Sequence, residues 1–344
     1  LRLLHQRMIT YPAGKLPHTD LSRLLAAYTH THERLLVPPA LGEDAAVIEF
    51  GDRLLVAKTD PITFASDQIG WYAVHVNAND IAAMGATPSF FLSTVLLPVG
   101  QATPELAETI LRSIHEAAAG LGIAVCGGHT EITHGIDRPI VVGQMLGETT
   151  RDELVRSSGL RPGHHLLLTK GLGIEATAII AREKRVELLE RGYTAAFLDG
   201  CAHFLHDPGI SVVQDAQLAT RIGGVTAMHD PTEGGIATGL YELAAASDVG
   251  LEIESAALPI ADPTQRLCAE FDLDPLGIIS SGALLIGCEA DAADPILSAL
   301  KAAGLEATCI ARVREPYFGL QLGRNGRLSP LPSFESDEIT RLFS

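Results

Sequence analysis

Acidic residues stand beside Gly or Asn at five places where predicted helices, strands or turns end. These residues are Asp44, Asp60, Asp80, Glu131 and Asp230. Loops at strand ends converge on ligand sites in α/β sheets. Carboxylates gathered there without matching Lys or Arg would repel one another, and their pKa values would rise. Divalent cations relieve such repulsion, and hard oxygen ligands suit Mg²⁺. The pattern therefore predicts a cation site.

Glycine pairs adjoin two of these acids and favour a phosphate ligand. Gly127-Gly128 and Gly234-Gly235 would let backbone N–H groups approach phosphate oxygens closely. The Walker pattern of a P-loop is absent, and Gly171-x-Gly173 is too weak to predict a dinucleotide site. Lys15, in a predicted loop, is either a phosphate contact or a solvated surface residue.

Charge and composition exclude several classes of protein. A net charge of −17 argues against binding nucleic acid or an anionic membrane surface. An acidic protein can still bind a polyanion such as ATP when metal ions bridge the charges. Five Cys without a Cys-x-x-Cys pair indicate a reducing cytoplasm and exclude a simple zinc ribbon. We see no apolar run of about 18 residues and no signal-peptide pattern after Leu1, so we expect a cytoplasmic protein without a membrane partner.

The stretch from Trp71 to Pro88 is the element around which these residues would be arranged. It is predicted to be a helix that Gly85 ends. Asn77 and Asp80 are three residues apart and share a face of that helix, whose apolar residues indicate burial. Either these polar side chains cap local backbone, or they form a ligand or metal face.

Alternation of strand and helix patterns predicts an α/β or α+β fold with two domains. A hairpin over 47–58 would bring Asp44 and Asp60 close together. Thr103 is predicted to cap a helix, and a short strand over 123–125 is predicted to run into a Gly-Gly loop. The predicted domains span residues 1–150 and 163–330, followed by a tail over 331–344.

Five motifs, taken in order, resemble one family. They are Gly-Glu-Asp-Ala-Ala at 42–46, Thr-Asp at 59–60, Val-Asn-Ala-Asn-Asp-Ile-Ala-Ala-Met-Gly-Ala-Thr-Pro at 76–88, Gly-Gly-His-Thr-Glu at 127–131 and Asp-Pro-Thr-Glu-Gly-Gly at 230–235. Together they resemble the aminoimidazole ribonucleotide (AIR) synthetase superfamily over roughly residues 14–315. The Glu-Asp pair and Pro231 are most similar to its hydrogenase-maturation, HypE-like branch.

The resemblance implies a PurM-like two-domain fold. Its N-terminal domain would form a homodimer by pairing sheets, with ATP and Mg²⁺ in a cleft near the dimer interface. By matching positions, the metal ligands would be Asp44, Asp60, Asp80 and Asp230. The nucleotide would contact Asn79, Gly127, Gly128, Thr130, Glu131 and Glu233 as well as Asp44, Asp60 and Asp80. The catalytic candidates are Asp80, His129 and Asp230, and His129 has a structural hydrogen bond as its alternative role.

The sequence departs from three branches of that family. The maturation factor ends in a tail Cys, whereas the last Cys here is Cys309. Selenophosphate synthetase carries a reactive N-terminal Cys, and none precedes Cys126. The thiamine-monophosphate kinases typically have Asp where His129 or Thr130 stands. We therefore expect an ATP- and Mg²⁺-dependent enzyme that activates a small substrate by phosphoryl transfer. The alternatives are a non-catalytic, nucleotide-binding maturation or assembly partner and a kinase of the thiamine-monophosphate type.

Overall fold

The computed structural model of the protein describes Tyr11 and residues 16–40, 42–63 and 67–343. Lys15 lies outside the described residues, as do Leu1 and Ser344. Among the residues described, no helix is both long and apolar enough to cross a membrane.

The N-terminal part of the described chain forms a six-stranded sheet with three helices. Its strands are β1 (Leu35–Val37), β2 (Ala46–Phe50), β3 (Arg53–Ile62), β4 (Thr87–Pro98), β5 (Ala124–Thr133) and β6 (Ile140–Thr149). Its helices are α1 (His18–Tyr28), α2 (Ile69–Ala83) and α3 (Pro104–Gly120). The strand order is β1-β2-β3-β6-β4-β5, and the pairs are antiparallel except for β4 with β5.

The C-terminal part forms a seven-stranded sheet with further helices. Its strands are β7 (His165–Thr169), β8 (Val225–His229), β9 (Gly250–Glu254), β10 (Leu285–Cys288), β11 (Ala307–Arg314), β12 (Leu320–Arg324) and β13 (Arg327–Pro330). Its helices are α4 (Ile174–Glu183), α5 (Arg185–Glu190), α6 (Ala195–Ala202), α7 (Val213–Ile222), α8 (Gly235–Ser247), α9 (Asp262–Glu270) and α10 (Ala293–Ala302). The order is β13-β12-β9-β11-β7-β10-β8. The predicted mixed helix-and-sheet, two-domain fold is confirmed.

Helix α2 is buried on nearly all sides and contacts both domains. It passes close to α3 because Gly70 has no side chain: a Cβ there would lie 2.7 Å from the carbonyl oxygen of Ile110. Gly85 follows the helix with φ of +68°, a conformation that glycine adopts readily, so the predicted end of the helix is confirmed. Polar side chains on α2 therefore need partners inside the protein.

Strand β5 differs from the sequence-based expectation. The predicted short strand and Gly-Gly loop form one continuous strand, which pairs in parallel with β4. Gly128 permits this pairing, because a Cβ at that position would lie 2.1 Å from the carbonyl oxygen of Ser93. The strand lies at the edge of the sheet and is exposed along almost its whole length, with Val125 45% and Ile132 60% exposed.

Candidate functional site

Acidic side chains from both domains meet beside α2. Asp44 precedes β2, whereas His229 ends β8 and Asp230 follows it. Ligand atoms of these three buried residues lie within 4.8 Å of one another. His229 bridges two carboxylates: its Nδ1 lies 2.9 Å from Asp44 Oδ1 and its Nε2 lies 3.0 Å from Glu242 Oε2. A histidine and two aspartates from distant parts of the chain thus form one group.

Burial and charge shift the pKa values of this group. Burial, and after it the nearby charge of Asp44, raise the pKa of Asp230 to about 7. Burial would lower the pKa of His229, but hydrogen bonds to Asp44 and Glu242 and the charges of both outweigh it. The pKa of His229 therefore stands well above its ordinary value, and the bridging imidazole carries a positive charge at neutral pH.

Lys58 joins two further acids to this group. From β3 its Nζ lies 3.4 Å from Asp80 Oδ1 and 3.5 Å from Asp60 Oδ2. Burial would lower the pKa of Lys58, but the charges of Asp80, Asp60, Asp44 and Asp230 prevail and raise it. Burial also raises the pKa of Asp80 well above its ordinary value. We call the four aspartates Asp44, Asp60, Asp80 and Asp230 the acid cluster. The sequence analysis missed Lys58, although its position two residues before Asp60 in a strand puts both on one face.

One oxygen of Asp44 and one of Asp80 lack a partner. Asp44 Oδ2 and Asp80 Oδ2 are buried, and no hydrogen-bonding group among the described residues contacts them. An unpaired buried polar atom costs about 1–3 kcal/mol, and more if charged. Hard carboxylate oxygens of this kind are the donors that Mg²⁺ takes, so the residues present fit a divalent cation.

The two asparagines of α2 bind backbone groups. Asn77 Oδ1 accepts from the Asp60 N–H at 2.9 Å, and Asn77 Nδ2 donates to the Ala73 carbonyl at 2.8 Å. For Asn77 the backbone-capping interpretation is therefore correct. Asn79 reaches across to the other domain, where its Nδ2 donates to the carbonyl of Ile210 at 2.8 Å and its Oδ1 accepts from the N–H of Val212 at 2.9 Å. A contact of Asn79 with nucleotide stays a prediction.

Four of the predicted nucleotide contacts, Gly127, Gly128, Thr130 and Glu131, lie on β5, away from the acid cluster within one chain. Gly128, Ser93, Gly143 and Asp60 form one row across β5, β4, β6 and β3. Three strand spacings therefore separate Gly128 from Asp60, a distance of about 14 Å. The exposed His129 and Glu131 side chains pair with each other at 3.4 Å. A groove of about 540 Å³ between α3 and β5 is lined by residues that include Ser93, His115, Cys126, Gly127, Gly128 and Thr130.

Glu233 belongs to a second group of acids inside the C-terminal domain. With Glu175 and Asp337 it forms what we call the inner acid group, in which the charge of Glu233 acts on both partners. Burial raises the pKa of Glu175 to about 7 and that of Asp337 to about 6. Asp337 Oδ2 accepts from the N–H of Gly234 at 2.7 Å, just before α8. No local sequence signal distinguished Glu175 or Asp337 from ordinary helix-end acids.

Comparison with known proteins identifies the family. The family described as "AIR synthase related protein" matches with its N-terminal domain over residues 42–149 and with its C-terminal domain over residues 161–322. Carbamoyl dehydratase HypE of Cupriavidus necator is 30% identical over 284 residues, which cover 80% of this chain and 77% of that protein.

Two solved structures are similar in fold. A HypE–HypF complex superposes with a TM-score of 0.73 at 22% identity and covers 92% of this chain and 99% of the other. HypE in complex with ATP superposes with a TM-score of 0.70 at 22% identity, and the match covers 94% of this chain and 92% of the other. The resemblance inferred from the motifs is confirmed: this chain belongs to the AIR synthase related protein family.

Proposed function

We propose that this protein binds ATP with Mg²⁺ at the acid cluster and activates a small substrate by phosphoryl transfer. The observation that carries the proposal is the pair of buried, unpartnered oxygens on Asp44 and Asp80. The related HypE structure that contains ATP supports a nucleotide ligand. When bound, Mg²⁺ would neutralise phosphate charge and hold the transferred group in line with its acceptor.

The chain's own residues prepare the two oxygens for that ligand. His229 binds Asp44 Oδ1 and Lys58 faces Asp80 Oδ1, so each aspartate has one oxygen paired with a cation and the other left available. Glu242 holds the far side of the His229 ring. This fixes the orientation of the Asp44 carboxylate before any ligand arrives, and such preorganisation is what electrostatic catalysis requires. The proposed metal ligands are thus Asp44, Asp80 and Asp230, from both domains.

We also propose that β5 pairs with β5 of a second copy. An exposed edge strand presents unpaired N–H and C=O groups, and the apolar Val125 and Ile132 would be covered in such a dimer. Gly128 lies about 14 Å from Asp60 within one chain, and in such a dimer His129, Thr130 and Glu131 would contact a nucleotide at a site shared between the two copies.

We also propose that this protein binds a maturation partner protein. The similar HypE–HypF complex supports it, and it suits the alternative in which the chain is a nucleotide-binding assembly partner without turnover. Release of ADP or AMP that a cellular metabolite pool stimulates would favour the enzyme. Nucleotide binding without stimulated hydrolysis would favour the assembly partner.

Calorimetric titration with a nonhydrolysable ATP analogue and Mg²⁺ tests the site. We expect Asp80→Asn to weaken binding at least about tenfold, because it replaces a buried ligand charge. Asp52→Asn is the matched control, since Asp52 is an exposed turn residue of the β2–β3 hairpin. Unchanged affinity in Asp80→Asn would contradict the assignment.

A further inference from the structure

The ammonium of Lys58 lies between two carboxylates of the acid cluster. Its ammonium lies 3.4 Å from Asp80 and 3.5 Å from Asp60, and its side chain is only 21% exposed. Within the described ranges, Lys58 and His229 are the two cations that pair with the acid cluster. The electrostatic potential between two carboxylates attracts a cation, and here that cation is the ammonium of Lys58.

The surrounding structure holds this ammonium in place. Lys58 belongs to β3, where it is paired with Met145 of β6, so its backbone position is set by the sheet. The backbone N–H of Asp60 donates to Asn77 Oδ1 at 2.9 Å, which anchors the backbone of Asp60 against α2. The sheet therefore fixes the backbone of Lys58, and Asn77 fixes the backbone of Asp60.

Burial and hydrogen-bond partners distinguish Asp60 from the other three aspartates of the acid cluster. Asp44 and Asp80 are buried and each has an oxygen without a partner, and Asp230 is buried beside Asp44. The Asp60 side chain is more exposed, 36% against 8% for Asp80. Asp44 and Asp80 therefore each offer a further cation a buried oxygen besides the one that faces His229 or Lys58, whereas Asp60 offers no such oxygen among the described residues.

We propose that Lys58 takes the place of one divalent cation, so that this site binds a single metal ion through Asp44, Asp80 and Asp230. Asp60 then pairs with Lys58 and is not a metal ligand, which revises its predicted role. The inference rests on the proposed function for the nature of the ligand. In the proposed reaction the ammonium gives the bound phosphate a fixed positive charge that needs no second metal.

Counting bound Mn²⁺ by electron paramagnetic resonance, with no nucleotide present, tests this inference. We expect one ion per chain in the wild type and in Lys58→Arg, which keeps the charge. We expect two ions in Lys58→Met, because the space between Asp60 and Asp80 then lacks a cation. A wild type that binds no ion or two ions, or a folded Lys58→Met that stays at one, would overturn the inference.

Asp60→Asn gives a second, independent measurement. We expect the single ion to remain in Asp60→Asn, and the count in Lys58→Met/Asp60→Asn to return to one. Loss of the ion in Asp60→Asn would overturn the inference even if Lys58→Met fails to fold. If the wild type does not bind the ATP analogue, the proposed function fails, yet the Mn²⁺ count still decides the role of Lys58.

Discussion

Glu175 allows a quantitative test of how the inner acid group affects stability. Its carboxyl lies in the first turn of α4, is only 7% exposed and has one oxygen, Oε2, without a partner among the described residues. Burial, with smaller contributions from the charges of Glu233 and Asp337, raises its pKa from 4.5 to about 7. A hydrogen bond with Ser281 acts in the opposite direction. The charged form is therefore disfavoured in the folded protein.

The sign of the effect follows from proton linkage. Between pH 4.5 and 7 the folded protein holds a proton on Glu175 that the unfolded chain has released, so stability falls as pH rises. Each tenfold change in proton affinity corresponds to about 1.4 kcal/mol. The cost is therefore about 1 kcal/mol at pH 5 and about 3 kcal/mol at pH 8. Gln resembles the protonated carboxyl in shape and never ionises.

We therefore expect Glu175→Gln to be more stable than the wild type at pH 8, with an advantage that shrinks by about 2 kcal/mol at pH 5. Urea unfolding of both proteins at pH 5, 6, 7 and 8 measures it. Glu190→Gln makes the same chemical change at an exposed position of α5 and should leave the pH dependence unaltered. An advantage that stays constant from pH 5 to 8 would refute the reasoning.

Three further predictions follow from packing. Asn79→Ala should lower the free energy of unfolding by about 2–4 kcal/mol, because two buried backbone groups lose their partner; urea unfolding that matches the wild type would contradict this. Gly128→Ala should yield little folded protein, whereas Gly127→Ala should be tolerated, since a Cβ at 127 meets only Leu92 at 3.7 Å; equal thermal stability of the two variants would argue against the close strand approach. Ile132→Lys on β5 should convert a wild-type dimer into a monomer in light scattering, and a monomeric wild type would disprove the proposed pairing.

Much of the fold could be predicted because local signals and tertiary packing agree. Gly85 ends α2 as expected, and Thr103 caps α3 by accepting from the N–H of Leu106 at 3.2 Å. The hairpin of β2 and β3 turns at Gly51-Asp52 as its pattern predicts. The continuous β5 could not be predicted, because Gly-Gly is a local turn signal and the pairing with β4 that overrides it comes from elsewhere in the chain.

Asp44, Asp80 and Asp230 carry motif signals, whereas the roles of the two cations depend largely on the fold. Spacing in a strand puts Lys58 and Asp60 on one face, but the contacts of Lys58 with Asp80 and of His229 with Asp44 come from what the fold places opposite them. The same holds for Asn79, whose partners Ile210 and Val212 lie in the other domain. Sequence spacing predicts neighbours within one element, whereas the contacts of His229 with Asp44 and of Asn79 with Ile210 and Val212 join residues more than 100 positions apart.

The bridge from Asn79 to Ile210 and Val212 limits how the domains can open. Rotating the two domains apart at α2 would break both hydrogen bonds at once. It would also expose the hydrophobic cluster that joins the two domains, to which Ile81 of α2 and Val213 of α7 both belong, so the closed arrangement is strongly favoured. A ligand that enters between the domains at this point would therefore have to wait for a rare conformation.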